Sequence, residues 1–206
     1  AQQQTYTFDV VSGVTAIARF PFTDVPAGSW YYGAAAYAYN NGLFGGTSPT
    51  TFAPSAVMSR AMFVTVLWRL AGAPAPKGVN TFSDVPGGTW YTDAVTWAAE
   101  NGVVSGIGGG RFAPNSNVTR EQTAEILFNY AHSCGYDVGA RADLSAFPDA
   151  GSVSGWAQDA LSWANAAGLI NGTLYGGRTI LDPQGSASRA QVAMILRSYA
   201  EHVVNA

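Results

Sequence analysis

Three arginines stand at repeated positions where each could bind an anion. Arg60, Arg120 and Arg189 each follow a serine or threonine, which favours the N-cap of a helix, so each arginine would lie in the first helical turn. A helix N-terminus favours anions and disfavours cations by about 0.3–1 kcal/mol. The chain has only 10 Lys and Arg residues. A guanidinium placed there three times is therefore expected to meet a negative charge.

Two sources of that negative charge remain open. Each arginine could pair with the aspartate of a Phe-x-Asp sequence, of its own or a neighbouring unit. Alternatively, the arginine and the helix N-terminal amides could converge on an external anion, because a guanidinium binds carboxylate or phosphate through two parallel hydrogen bonds. The three arginines are predicted to bind ligand together with the repeat-equivalent aspartates, which are Asp24, Asp84 and Asp149.

Tryptophans form the second set of candidates. Trp30, Trp90 and Trp156 follow polar turns at the predicted starts of helices. They could join the core, or they could stay half exposed and stack on the face of a sugar ring, since an indole is both apolar and flat. Trp97 and Trp163 lie in the middle of predicted helices, and we expect them in the core.

These candidates belong to a repeat that fills most of the chain. Each unit contains, in order, Phe-x-Asp, a tryptophan, a glycine, a proline and Ser/Thr-Arg. Each unit is predicted to form two helices, and a unit of about 50 residues cannot bury both helices alone. We therefore predict an all-α, closed pseudo-three-fold domain over 21–206, with repeats at about 21–72, 81–132 and 146–202. Its central second helices are expected to bury the equivalent Leu67, Leu127 and Leu196.

Residues 1–20 have no counterpart in the repeats. Their alternating pattern around Ser12-Gly13 is typical of two short strands. We interpret them as a β-hairpin remnant of an upstream β-domain or linker, which implies further domains in the full-length protein.

Composition argues against several other classes of protein. Charged residues make up 11% of the chain, with a net charge of −3, which does not suit a nucleic-acid-binding protein. The single cysteine excludes an internal disulfide framework, and no Cys/His cluster has zinc spacing, so neither a metal nor a cofactor is predicted. No apolar run has the length of about 18 residues that a membrane span needs.

An enzymatic function is a weaker alternative. The sequence has no recognisable Ser/His/Asp set, and a glycosidase would need two facing carboxylates. Several of the available carboxylates recur at equivalent helix positions, which is typical of solvated helix surface. We therefore expect a non-enzymatic domain, although such a pair could be assembled from Asp93, Glu100, Glu121, Glu125 and Asp159.

The combined motifs resemble the S-layer homology (SLH) domain over about residues 21–202. The second unit is the nearest to the family pattern, and its matching segments are Phe82-Ser83-Asp84-Val85, Trp90-Tyr91, Ala98-Ala99-Glu100-Asn101-Gly102, Phe112-Ala113-Pro114 and Val118-Thr119-Arg120-Glu121-Gln122. The resemblance implies a pseudo-trimeric helical prism that holds surface proteins on the bacterial cell wall without a covalent bond. It therefore also implies an extracellular, cell-surface location.

The resemblance also implies a ligand. The family binds secondary cell-wall polysaccharide, often through a ketal-pyruvylated amino sugar, and its motif arginine is associated with that ligand. By correspondence, Arg60, Arg120 and Arg189 are expected to bind the carboxylate of such a sugar. The glutamate of the family motif is replaced here by Met62, Gln122 and Gln191. The alternative is a related module that binds protein or self-associates without binding glycan.

Overall fold

A computed structural model describes residues 20–205 of the chain. Within this range the protein is mostly helical. The α-helices, numbered in chain order, are α1 Tyr32–Asn40, α2 Arg60–Leu70, α3 Thr92–Glu100, α4 Arg120–Ser133, α5 Gln158–Ala166 and α6 Arg189–Tyr199. Short 3-10 turns lie at Leu144–Ala146, Ala150–Ser152 and Gly155–Ala157, and α6 continues as a π-helix over Ala200–Val204.

The prediction of an all-α fold needs one correction. Strands β1 Thr173–Tyr175 and β2 Arg178–Ile180 form an antiparallel hairpin in the third unit. They lie between Gly168 and Pro183, a segment that is longer in this unit than in the other two. The predicted hairpin in residues 1–20 lies outside the described residues except for Phe20. The ring of Phe20 packs edge-on against Phe22, with 5.2 Å between the ring centroids.

Local sequence sets the limits of the second helices. The hydroxyl groups of Ser59, Thr119 and Ser188 each accept a hydrogen bond from the backbone N–H three residues later. Gln122 and Gln191 complete the capping boxes by accepting from the backbone N–H of their N-cap residue. The predicted N-caps are therefore confirmed.

Each second helix packs against the first helix of the following unit. Thus α2 lies on α3, α4 lies on α5, and α6 returns to α1. This cyclic exchange buries the apolar faces that a single unit could not cover. As predicted, Leu67, Leu127 and Leu196 are all buried in the core.

A closed set of backbone hydrogen bonds joins the three units just before their second helices. Met58 N–H donates to the Ala187 carbonyl at 3.0 Å, Ala187 N–H donates to the Val118 carbonyl at 3.0 Å, and Val118 N–H donates to the Met58 carbonyl at 2.9 Å. Because each unit donates to one neighbour and accepts from the other, the ring fixes all three second helices relative to each other.

Glycine is required where a loop crosses the opening phenylalanine of each unit. A Cβ atom on Gly106 would lie 2.6 Å from the Arg111 carbonyl oxygen and 2.8 Å from the Phe82 ring. Gly106 also has a φ of +82°, which residues with a side chain rarely adopt. The equivalent Gly46 and Gly172 would clash in the same way. These loops, held close to the core, form one wall of the grooves described next.

Candidate binding grooves

The N-terminal amides of the second helices are bound within the protein. Arg60 N–H donates to the Ser116 carbonyl at 2.9 Å, and Ala61 N–H donates to the Pro114 carbonyl at 3.0 Å. The amides of α4 and α6 have equivalent partners in the next unit of the cycle. The hypothesis that these amides help to bind an external anion is therefore wrong, because their hydrogen bonds are already made.

Each motif arginine reaches into the next unit and holds its loop. The Nε–H of Arg60 donates to the Phe112 carbonyl at 2.9 Å, and the guanidinium lies 4.8 Å from the centroid of the Phe112 ring. The repeat-equivalent bonds join Arg120 to the Leu181 carbonyl at 2.7 Å and Arg189 to the Phe52 carbonyl at 2.7 Å. The Nε–H group of each arginine therefore stabilises the contact between two units, and this holds for any ligand that the η-nitrogens bind.

The motif aspartates bind the same loops by accepting hydrogen bonds from their backbone N–H groups. The two carboxylate oxygens of Asp84 accept from Phe112 N–H and Ala113 N–H, both at 2.8 Å. Asp24 and Asp149 make the equivalent pairs of bonds. Ala113 is held at a φ of +60°, a left-handed conformation that costs energy for a residue with a Cβ atom. The aspartate therefore stabilises a strained turn.

Direct ion pairing between arginine and aspartate is one of the two alternatives given above, and the described residues do not show it. Among the described residues the ion pairs are Arg141–Asp159 and Arg197–Glu201. Asp84 and Arg60 instead bind the N–H and the carbonyl of one residue, Phe112. Arg60 and Asp84 therefore contact different polar groups of the same loop, and the backbone of that loop lies between the two charges.

Hydrogen bonding keeps the carboxyl group of Asp84 ionised. Partial burial by itself raises the pKa of this group, but the N–H groups of Phe112 and Ala113 stabilise the carboxylate more, so the pKa lies below its ordinary value. A carboxyl group whose pKa falls on folding adds stability above its unfolded pKa and loses it as the pH falls through the folded pKa. The contribution of Asp84 is therefore present at neutral pH and lost in acid.

Replacing Asp84 by asparagine is expected to lower the free energy of unfolding by about 1–2 kcal/mol at neutral pH, because the amide cannot accept both backbone hydrogen bonds. Urea unfolding at several pH values measures this cost. The matched control is Asp93→Asn, an exposed position on the same unit, with an expected change of under about 0.5 kcal/mol. A cost for Asp84→Asn that does not shrink in acid would contradict the assigned role.

Among the described residues, a groove beside Arg60 and another beside Arg120 are each assembled from all three units. Groove 1 has a volume of about 420 Å³ and is lined by Arg60 of unit one, by the loop 103–107 and α4 of unit two, and by Trp156 of unit three. Groove 2 has a volume of about 350 Å³ and is lined by Arg120 of unit two, by the loop 168–174 and α6 of unit three, and by Trp30 of unit one.

The predicted tryptophans lie at the surface. Trp156 is 54% exposed, Trp90 is 59% exposed and Trp30 is 65% exposed. Each precedes the first α-helix of its unit, so its ring does not share the apolar face of that helix. The alternative that these rings belong to the core is therefore wrong. Trp97 and Trp163 are buried, as predicted.

The arginines of grooves 1 and 2 keep hydrogen-bonding capacity for a ligand. Arg60 and Arg120 are each 5% exposed, and burial lowers the pKa of both side chains, although a guanidinium stays protonated in proteins. Within residues 20–205, their Nε–H groups make the side-chain hydrogen bonds given above, and no acceptor is found for their η-nitrogens. These nitrogens are the cationic donors that each groove can offer.

The equivalent arginine of unit three, Arg189, makes an additional hydrogen bond within the protein. An η-nitrogen of Arg189 donates to the Gly45 carbonyl at 2.6 Å. On α2, Arg69 also donates to a loop carbonyl, that of Leu43, at 3.1 Å. In the cyclic order of the units, the tryptophan equivalent to Trp156 and Trp30 at this third site is Trp90. Hydrogen bonds within the protein therefore already use some of the arginine N–H donors at this site.

Three lining residues of groove 1 are on one face of α4 and were not predicted as ligand-binding residues. Gln122, Glu125 and Asn129 follow each other at a spacing of three and four residues, which places them on the same side of the helix. The sequence signal that could have indicated them is a row of polar residues at helical spacing that begins three residues after the N-cap Thr119.

Comparison with known proteins identifies the same units. The model of the S-layer homology domain family matches residues 21–62, 81–124 and 146–193. The surface-layer 125 kDa protein of Lysinibacillus sphaericus is 33% identical over 79% of this chain, which corresponds to 13% of that protein. An endoglucanase of Bacillus sp. (strain KSM-635) is 32% identical over 86% of this chain and 18% of the enzyme. S-layer protein sap of Bacillus anthracis is 32% identical over 60% of this chain and 15% of that protein.

This chain therefore spans only a small part of the length of these relatives, between 13% and 18%. S-layer homology domains occur in S-layer proteins and in cell-surface enzymes, where they accompany separate catalytic domains, and they anchor proteins to the cell wall. In residues 20–205 we find no helix long and apolar enough to cross a membrane. Three matched segments, one in each structural unit, show that this cell-surface chain belongs to the S-layer homology domain family.

Proposed function

We propose that this domain attaches a surface protein to the cell wall by binding the anionic sugar of a secondary cell-wall polysaccharide. A pyruvylated amino sugar is the ligand class that fits best, because its ketal carries a carboxylate on a sugar ring. The observation that carries the proposal is the repeated pairing, in grooves 1 and 2, of a buried arginine with free η-nitrogens and an exposed tryptophan.

Each side chain of the grooves has an expected contact with the sugar. The η-nitrogens of Arg60 or Arg120 would donate to the carboxylate of the sugar, and burial of the guanidinium strengthens that interaction by lowering the local dielectric constant. Trp156 or Trp30 would cover the apolar face of the ring. In groove 1, Gln122 would add hydrogen bonds to hydroxyl groups. No covalent step is needed, so the attachment is reversible.

Closure of the three units explains how such grooves arise. We propose that the described residues form a pseudo-three-fold prism, and the cyclic helix pairs and the closed backbone ring support it. In a prism of this kind every groove lies between units, so unfolding of one unit would damage more than one groove. Several grooves on one domain would also raise the apparent affinity for a repeating polysaccharide.

A second candidate function is binding to protein instead of glycan. The observation that favours it is exposed apolar surface around groove 2, where Trp30 is 65% exposed and Leu174 is 76% exposed. Large exposed apolar groups often mark protein interfaces. The charged arginine at the base of the same groove favours an anionic ligand over an apolar one.

Sedimentation with purified cell-wall sacculi separates the two functions. We expect the domain to pellet with untreated sacculi and to remain in solution after hydrofluoric acid has removed the polysaccharide. Binding that survives the acid treatment would contradict glycan anchoring. Self-association of the domain without sacculi would favour the protein-binding alternative.

A further inference from the structure

Grooves 1 and 2 differ in charge at one equivalent position of the second helix. In groove 1 this position holds Glu125, whereas in groove 2 it holds Met194. The corresponding residue of α2 is Thr65. Since two of the three units have an uncharged residue here, the fold itself does not require the carboxylate.

The carboxylate of Glu125 is half-buried and has no cationic partner among the described residues. Its side-chain contact is with the Asn129 amide, at 3.5 Å. The nearest charge on the packed helix α5 is Asp159, which is also negative and is itself paired with Arg141 at 3.6 Å. Burial, with some contribution from Asp159, raises the pKa of Glu125. An unpaired carboxylate that is partly removed from water is unfavourable unless a ligand provides a positive charge or strong donors.

Groove 1 therefore presents two opposite charges to the same ligand. Arg60 supplies the cation, Glu125 supplies the anion, and Trp156 supplies the exposed ring. Neither charge of this pair is neutralised by the other, since the ion pairs of residues 20–205 do not include them. In groove 2, Arg120 is accompanied by the apolar Met194 and Leu169.

We propose that groove 1 selects a saccharide that carries both an acidic group and a free amino group, while groove 2 favours the N-acetylated form. This inference rests on the proposed function, because it concerns the same grooves. The ammonium group of the sugar would neutralise Glu125 while the acidic group binds Arg60. In groove 2 the methyl group of an acetamide would contact apolar side chains, and a free amine there would have no carboxylate to bind.

Muramic acid and N-acetylmuramic acid are suitable probes, because they carry the same carboxylate and differ only in the acetyl group on nitrogen. The indole N–H signals of Trp156 and Trp30 in a two-dimensional NMR titration of the full chain report on groove 1 and groove 2 separately. The titration is run at about pH 6.5, where an ordinary α-amine is mostly protonated and which is above the ordinary pKa of a glutamate. The ammonium group of the bound sugar would itself favour the charged form of Glu125. We expect groove 1 to bind muramic acid about 3- to 10-fold more tightly than the N-acetylated sugar.

Two variants test the cause of this preference. Glu125→Gln keeps the size of the side chain and is expected to abolish the preference at Trp156 while leaving Trp30 unchanged. Met194→Glu places the carboxylate in groove 2 and is expected to transfer the preference to the Trp30 signal. Circular dichroism establishes that each variant is folded, and the second variant tests the idea even if the first is unstable.

Equal affinity of the two sugars at Trp156, or a preference that persists in Glu125→Gln, would overturn the proposal. Failure of both sugars to move the Trp156 signal would overturn it as well. The proposed function is judged separately by sedimentation with sacculi, so the wall-binding result can stand when the amine preference fails.

Discussion

Replacing Arg60, Arg120 and Arg189 together by lysine is expected to lower the affinity for sacculi by about 10- to 100-fold for each groove that binds the polysaccharide. Lysine keeps the positive charge, but its ammonium group cannot donate two parallel hydrogen bonds to a carboxylate. Multivalent binding could hide the loss of a single groove, so the three changes are combined. The measurement is a binding isotherm on purified sacculi.

A cost in stability accompanies this change and has to be measured. Each Nε–H that lysine lacks donates to a backbone carbonyl of the next unit, as in the bond from Arg60 to Phe112 at 2.9 Å. Losing one such bond costs about 1–2 kcal/mol. The double variant Arg60→Lys/Arg120→Lys is therefore studied beside the triple variant. It leaves Arg189 in place, with its bonds to Phe52 and Gly45.

Controls separate loss of binding from loss of folding. Arg178→Lys changes an exposed arginine on β2 and is expected to bind sacculi like the unmodified chain. Removing the acidic group from the polysaccharide is expected to abolish the difference between the unmodified chain and the double variant. A double variant that is folded and binds sacculi with unchanged affinity would show that the arginines act only within the fold.

Truncation of Leu127 to alanine is expected to lower the free energy of unfolding by about 2–5 kcal/mol. The side chain is 1% exposed, on the helix that contributes to the central core and to groove 1. Because the core is shared by all three units, the surrounding side chains cannot easily close the cavity. Chemical denaturation monitored by circular dichroism measures the change.

The control for this prediction is Leu174→Ala, on β1, where the leucine is 76% exposed. Its expected effect on stability is under about 0.5 kcal/mol. A loss under about 1 kcal/mol for Leu127→Ala would mean that the second helices do not share one core. Unequal losses for the equivalent Leu67→Ala and Leu196→Ala would show that the three units differ in how tightly they are packed.

Local features of the fold could be predicted because they depend on residues that are close in the chain. The hydroxyl group of Ser188 and the amide of Gln191 reach each other across three residues, so the capping box follows from the sequence. Gly102 ends α3 with a φ of +70°, as expected of a residue without a side chain. The burial of Leu196 followed from its place in the repeat.

The position of Trp90 shows the limit of such reasoning. Its spacing to Ala94, Trp97 and Ala98 fits one helical face, but α3 begins only at Thr92. The helical period does not apply before the helix starts, so the ring lies outside the apolar face and is 59% exposed. The later start of α3 therefore decides between the two alternatives for this ring, and it places the ring at the surface instead of in the core.

The sequence by itself determined the three units, the N-caps of the second helices, the buried leucines and the family. Only the tertiary structure decided what the motif residues bind, because their partners are far away along the chain. Arg60, Arg120 and Arg189 bind carbonyl groups that are 52, 61 and 137 residues distant. Closure of the cycle brings those carbonyls to the helix N-termini, occupies the amides there and leaves the η-nitrogens of two arginines for the grooves. Such contacts depend on how the units pack, and no local pattern of residues records that packing.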